Sequence, residues 1–306
     1  MQQYLIQRLL LSVPVIIGVT LIVFAILHLT PGEPVRIMAG PRASEERVQE
    51  IRTQLGLDQP IYQQYTRWLG RVVQGDLGIS IASKQPVSQM ISDRLPLTLR
   101  LSLMALVLSV AVGIPLGVVA AVNHQRWLDH LITFCSLFFF SIPGFWLGLM
   151  LILCFSLWLR WTPLSGYQGV AALVLPMLTL ALPQIGALAR LIRTEMLEVL
   201  QAEYMKTAHA KGLQPRLVLY RHALRNALIP VAVMIFLSLP WLIGGSVVIE
   251  TIFAWPGMGR LMVQALTQKD FPVIQGTLLV IALTTVLANL LGDIVTALLD
   301  PRIQQA

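Results

Sequence analysis

Between residues 203 and 230 the chain reads EYMKTAHAKGLQPRLVLYRHALRNALIP. Lys206, Lys211, Arg216, Arg221 and Arg225 recur through it, and Met205, Leu213, Leu217, Tyr220 and Leu224 supply apolar contacts. Cations interleaved with apolar side chains suit docking rather than bond-making, because an amphipathic helix can lay one face in a partner's groove. Gly212 tolerates a positive φ and can end a first helix over 201–211. Pro215 suits the first turn of a second helix, where its missing N–H is no loss. The expected product is an elbow of helix, tight corner and helix. A helix lying flat on anionic lipid is the alternative, and the Gly-x-x-Pro corner favours the elbow.

Other chemistry is sparse. No GxxxxGK[ST] run cradles phosphate, and no HExxH, GxSxG or paired-cysteine metal spacing occurs. Glu250 and Asp293 lie towards the ends of apolar runs, with no chain of buried Asp, Glu and His suited to proton relay. Cys135 and Cys154 stand too far apart on one helix for a disulfide. The histidines are His28, His124, His130, His209 and His222, and His28 falls where a span should meet the interface. Neither an enzyme nor a proton-coupled carrier is written here. A pore-forming subunit that takes its energy from a partner remains, with no cofactor in the chain itself.

The elements that must position the basic segment are membrane spans. Of 306 residues, 56% are hydrophobic and 12% charged, with mean hydropathy +0.73, against about a quarter charged in soluble domains. Several runs reach the roughly 20 apolar residues that hydrocarbon requires. The net charge of +7 then marks loops on the cytoplasmic side rather than a nucleic-acid partner. No small-x-small cleavage site follows the first apolar run, which reads as an uncleaved span.

Six spans are expected, at about 9–29, 97–122, 131–159, 170–189, 228–249 and 273–299. Residues 31–94 are more polar and predict a helical cap on the membrane surface. One of its helices, from Ile61 to Val73, should present Ile61, Tyr65, Trp68, Leu69 and Val72 on one face. Gly113 and Gly117, and again Gly144 and Gly148, have the spacing that lets helices approach closely. Ser141-Ile142-Pro143-Gly144 predicts a kink, and 250–272 a polar loop. Arg8, Arg126, Arg190, Arg193, the basic segment and Arg302 fall on one side of this topology, so both termini and the elbow are expected in the cytoplasm.

KTAHAKG at 206–212 resembles the EAA loop of binding-protein-dependent ABC importer permeases, EAA-x3-G-x9-I-x-L-P. Lys206, Thr207 and Ala208 take the EAA position and Gly212 the glycine, while His222-Ala223-Leu224-Arg225 falls where I-x-L-P would stand. Only Ala208, Gly212 and Leu224 match literally. The departures are similar to the dipeptide, oligopeptide and nickel branch, in which a TARAKG-like run precedes RHALRNALIP; here His209 replaces the usual Arg. RLL at 8–10, TPGEP at 30–34, LGLDQP at 55–60, GDLG at 75–78 and FAWPGMGR at 253–260 are similar to the first-permease subunits of that branch.

The resemblance covers nearly the whole chain. It implies an all-α type I permease: an N-terminal transmembrane helix (1–30), an extracytoplasmic cap (31–94), a five-helix transmembrane domain (95–300) holding the cytoplasmic loop 201–226, and a cytoplasmic tail (301–306). It further implies a second permease, two cytoplasmic ATPases that bind ATP and Mg, and an extracytoplasmic solute-binding protein, in a bacterial inner membrane. Lys206, Thr207, Ala208, His209, Lys211, Gly212, Pro215, Arg221, His222, Leu224, Arg225 and Asn226 would form the coupling loop. Glu250, Phe253, Trp255, Pro256, Gly257, Gly259, Arg260 and Asp270 would stand on the outer, gate side. Di- and oligopeptides are the expected cargo, with nickel, a metal chelate or glutathione as alternatives. Direct metal ligation would call for His or Met clusters on the pathway, and four of the five histidines fall on the cytoplasmic side.

Overall fold

The computed structural model describes residues 2–29, 35–36, 43–54, 58–167, 169–205, 214 and 217–299. Helices dominate because backbone groups in hydrocarbon must find their hydrogen bonds within their own segment. In chain order these are α1 (Gln2–Leu29), α2 (Glu45–Gln54), α3 (Ile61–Val73), α4 (Val87–Val122), α5 (Trp127–Ser141), α6 (Gly144–Leu151), α7 (Val170–Gln201), α8 (Leu224–Leu237), α9 (Leu239–Ile252), α10 (Met258–Gln268) and α11 (Phe271–Leu299). A π-helical segment, Ile152–Trp158, extends α6, and another, Val218–Ala223, leads into α8. Among the described residues five helices are long and apolar enough to cross a membrane, or six if the bent pair α5–α6 is one span.

The centre of the molecule is the packing of α4 against α7. Gly113 and Gly117 make it possible. A Cβ on Gly113 would lie 3.0 Å from the Leu188 Cβ, and one on Gly117 would lie 2.6 Å from both the Ala189 carbonyl oxygen and the Ile192 Cβ. Gly186 does the same for the next helix, since its Cβ would meet the Ser136 carbonyl oxygen of α5 at 2.6 Å. Leu188, Ala189 and Ile192 are accordingly buried. The second glycine pair divides: Gly148 packs under the Phe253 ring, while Gly144 is in ordinary contact with Ile249. Serine hydroxyls tighten the same core, Ser109 donating to its own helix at Ala105 and lying 3.3 Å from the Ala181 carbonyl of α7.

Element bounds differ from the sequence expectation where proline and polarity were read as ends. α4 starts at Val87 and runs through Pro96 and Pro115, so it crosses the cap boundary expected at residue 94. The kink expected at Pro143 is a break: Ile142 and Pro143 are extended, and the flanking helices diverge by 105°. The fifth span is redistributed. The second helix of the basic segment continues without interruption into α8, ending at Leu237, and Ser238 separates it from α9. The expected loop 250–272 holds α10, and Glu250 belongs to α9.

The cap helix α3 rests on α1 through side chains of the expected face. Tyr65 Oη lies 2.9 Å from Thr20 Oγ1, and the Phe24 ring contacts those of Tyr65 and Trp68. Tyr65, Trp68, Leu69 and Val72 are half-buried, whereas Ile61 is exposed. His28 is held in the same seam, its Nε2 3.0 Å from Gln64 Oε1. At the opposite end of α1, Arg8 pairs with Asp293 of α11 at 3.3 Å.

The glycine contacts predict a sharp contrast. Gly117→Ala should destabilise the protein by about 1–3 kcal/mol through overpacking. Gly18→Ala, with nothing within 4 Å of the new Cβ, should be neutral or stabilising because alanine favours helix. Thermal melts in detergent check both.

Candidate functional site

Three features could carry function. The first is the corner where α9, α10 and the start of α4 meet. Glu250 is wholly buried there. Its Oε1 accepts from Thr98 Oγ1 at 2.6 Å and from Ser246 Oγ at 3.3 Å, and its Oε2 accepts from the Gly259 and Arg260 N–H groups at 2.7 and 3.2 Å. The first turn of α10 lacks a side-chain cap of its own, so a carboxylate from the preceding helix satisfies its free N–H groups. Thr98 Oγ1 also accepts from Met258 N–H at 2.8 Å, joining α4 to the same node.

The FAWPGMGR run is shaped by this carboxylate. A Cβ at Gly257 would overlap the Glu250 carboxyl, and one at Gly259 would overlap Val247. Phe253, Trp255 and Pro256 are buried beside it, and Trp255 Nε1 donates to the Leu97 carbonyl at 3.2 Å. Arg260 Nη1 donates to the Ala254 carbonyl at 2.5 Å. Asp270, at the next corner, accepts from Ser80 Oγ at 2.5 Å and from the Ile81 and Ala82 N–H groups at 3.1 Å each. The eight gate-side residues expected from the sequence thus lie along two neighbouring corners, seven of them buried and Arg260 half-buried.

The second feature lies at the other end of α4 and α7. Asp129, in the first turn of α5, is buried and accepts from Arg193 Nε at 2.5 Å and Nη2 at 2.8 Å. The Gln125 N–H donates to the same carboxyl at 3.0 Å, and His124 Nδ1 stands 3.3 Å away. A bidentate arginine pair of this kind fixes orientation as well as distance, so it ties the α4–α5 turn to α7. Sequence reasoning missed it. Asp129 and Arg193 are 64 positions apart, and no local periodicity connects them.

The basic segment grows from this same end. Lys206, Thr207, Ala208, His209, Lys211, Gly212 and Pro215 lie outside the described residues. Its two bases are described. Met205, Val218, Ala223 and Ala227 are buried in one cluster with Leu188, Ile192 and Met196 of α7. Asn226 Nδ2 donates to Tyr204 Oη at 3.0 Å, closing the base. Arg221 and Arg225 point outward with Tyr220, while His222 and Leu224 are half-buried. Apolar side chains therefore anchor the bases of the segment to the core and leave Arg221 and Arg225 exposed.

The third feature is a cavity of about 600 Å³ that opens beside both helix breaks. Phe140 and Phe145 line it from α5 and α6, Gln184 from α7, and Met234 and Trp241 from α8 and α9. A smaller cavity of about 370 Å³ lies between α1, α3 and the start of α11, with Arg67, Trp68 and Arg71 in its wall. None of the eight gate-side candidates lines either one.

Comparison with known proteins gives this architecture a family. Residues 113–305 match the model of the binding-protein-dependent transport system inner membrane component, and residues 1–102 match the N-terminal model of such membrane components. The oligopeptide transport system permease protein AppB of Bacillus subtilis is 41% identical over 99% of this chain and 100% of its own length. A putative peptide transport system permease protein of Brucella abortus is 43% identical, and the glutathione transport system permease protein GsiC of Escherichia coli K12 is 40% identical, each over 99% of both chains. Among solved structures, an inward-facing MetNI methionine ABC transporter aligns with TM-score 0.58 at 19% identity, over 69% of this chain and 97% of its own. An amino acid ABC transporter aligns with TM-score 0.57 at 13% identity, over 69% of this chain and 94% of its own, and these two likenesses speak for the fold. The chain belongs to the binding-protein-dependent transport system inner membrane components, and it is a multi-pass permease subunit of an ABC importer with the type I fold.

Proposed function

We propose that this permease, paired with a second homologous permease, forms the pathway for di- and oligopeptides delivered by an extracytoplasmic solute-binding protein. Two cytoplasmic ABC ATPases would bind ATP and Mg and drive it, docking on the loop 201–226. Both termini are then cytoplasmic, which agrees with the arginine count of the short loops. Relatives that carry oligopeptide, peptide and glutathione permease names support the cargo class. Glutathione, itself a short peptide, is the first alternative. Nickel or a metal chelate is the second alternative; among the described residues no three His, Cys, Asp or Glu side chains converge.

The observation that carries the coupling is the anchoring of both bases of the loop on α7 through Met205, Val218, Ala223 and Ala227. Force on the loop would reach α7 directly, and α4 with it through Gly113 and Gly117. The Asp129–Arg193 pair would pass the same displacement to α5. Closely packed helices shift as bodies rather than bend, which suits alternating access. At the far end, the Glu250 corner would make α10 and the beginning of α4 follow, and the cap pinned through Asp270 would offer the binding protein its platform.

Three outcomes check this mechanism. Gly212→Trp should abolish peptide-stimulated ATP hydrolysis in the reconstituted importer while leaving membrane insertion intact; unchanged stimulation contradicts the coupling. A stand-alone carrier would instead show uptake by the purified subunit in liposomes without ATPases. Glu250→Gln should lower stability by about 1–3 kcal/mol for each buried donor it leaves without an acceptor, read as a lower melting temperature, and Thr98→Val should fall between it and the wild type.

A further inference from the structure

Gln184 is 7% exposed on α7, and its Nε2 is buried with no hydrogen-bond partner among the described residues. It stands in the wall of the 600 Å³ cavity, among Phe140, Phe145, Met234 and Trp241. A buried donor without an acceptor costs free energy, and buried polar groups in folded proteins seldom lack a partner. The described residues do not supply one here. The cavity falls within the volume range of small-ligand sites, about 300–1,000 Å³, and has their composition: apolar walls with few polar groups.

A second donor lies along the same helix. The Arg190 guanidinium sits 4.6 Å over the ring of Phe140, and its Nε is likewise buried without a partner. Arg190 lies six positions after Gln184, a rise of about 9 Å and a turn of about 120° round α7, so it does not line the cavity itself but borders it across the Phe140 ring. The rise is close to the length of two or three extended peptide units at about 3.5 Å each. Neutral donor, aromatic wall and cationic donor follow one another towards the coupling end.

We propose that Gln184 is a specificity-determining contact for the cargo: its amide donates to a backbone carbonyl of a short peptide whose apolar side chain lies against Phe140 and Trp241. Arg190 stands beyond, where it favours the carboxylate end of the same peptide. This rests on the reading of the subunit as a peptide permease. Backbone carbonyls are common to all peptides, so the amide contact selects peptides as a class, while the aromatic wall favours an apolar side chain beside it.

The test is Gln184→Met in the complete importer, with both permeases, ATPases and binding protein in proteoliposomes and radiolabelled alanyl-phenylalanine as the probe. Methionine keeps the length and removes the donor. Assembly should be intact and the melting temperature equal or higher, because no internal hydrogen bond is lost. Maximal uptake should fall about tenfold, the worth of one hydrogen bond, with KM unchanged because capture by the binding protein precedes it. Gln184→Asn, which keeps a donor on a shorter arm, should restore part of the rate. Uptake by Gln184→Met within about twofold of wild type overturns the proposal. A lowered melting temperature overturns it in favour of a structural bond, and loss of the second permease from the purified complex overturns it in favour of the subunit interface. A wild-type importer that hydrolyses ATP yet takes up neither alanyl-phenylalanine nor glutathione contradicts the peptide reading itself, a failure visible before any variant is made.

Discussion

Close backbone approach between α4 and α7 is the constraint on which the other features depend. In lipid, helices gain little by hiding apolar surface from one another, so association rests on van der Waals fit and on hydrogen bonds between helices. Gly113 and Gly117 supply the fit: a methyl group at Gly117 would collide with Ala189 and Ile192, and one at Gly113 would crowd Leu188 and Ile185. Proline within both helices, at 96, 115, 176 and 183, does not end them. The result is a two-helix bar, 36 and 32 residues long, that reaches from the base of the loop 201–226 to the Glu250 corner.

Each end of the bar is finished by a buried carboxylate. Asp129 takes a bidentate arginine and so fixes the neighbouring turn, while Glu250 takes four neutral donors and so fixes the beginning of α10. Both are costly groups to remove from water unless fully paired. Between the ends, at the α5–α6 break and the α8–α9 joint, the bundle is open and lined by aromatic side chains. Rigid ends with an open middle would suit the alternating access proposed for this subunit.

Much of this could be read from the residues. The glycine spacing at 113–117, the tyrosine and tryptophan face of α3 and the apolar lengths of the spans are local patterns, and local patterns survive in a single sequence. The EAA-like run, together with RHALRNALIP, pointed to the family before any coordinate. The breaks were less legible, since Pro96 passes inside a helix while Pro143 ends one, and only neighbouring packing distinguishes them. The carboxylate nodes were least legible. Glu250 read as an acid in a polar loop because its partners, Thr98 and the N–H groups of α10, are defined by tertiary contact. Gln184 gave no sequence signal at all, since an isolated glutamine in a span becomes notable only when its surroundings are seen to lack an acceptor.

The claim that α4 and α7 move as one body is tested most directly by spin–spin distances in the complete importer. Labels at Val119 on α4 and Thr194 on α7, both at exposed positions, should give the same distance distribution without nucleotide and with ATP trapped. The distance from Val119 to its counterpart on the second permease should shift between those states. A change between Val119 and Thr194 as large as the one across the two permeases would contradict the account.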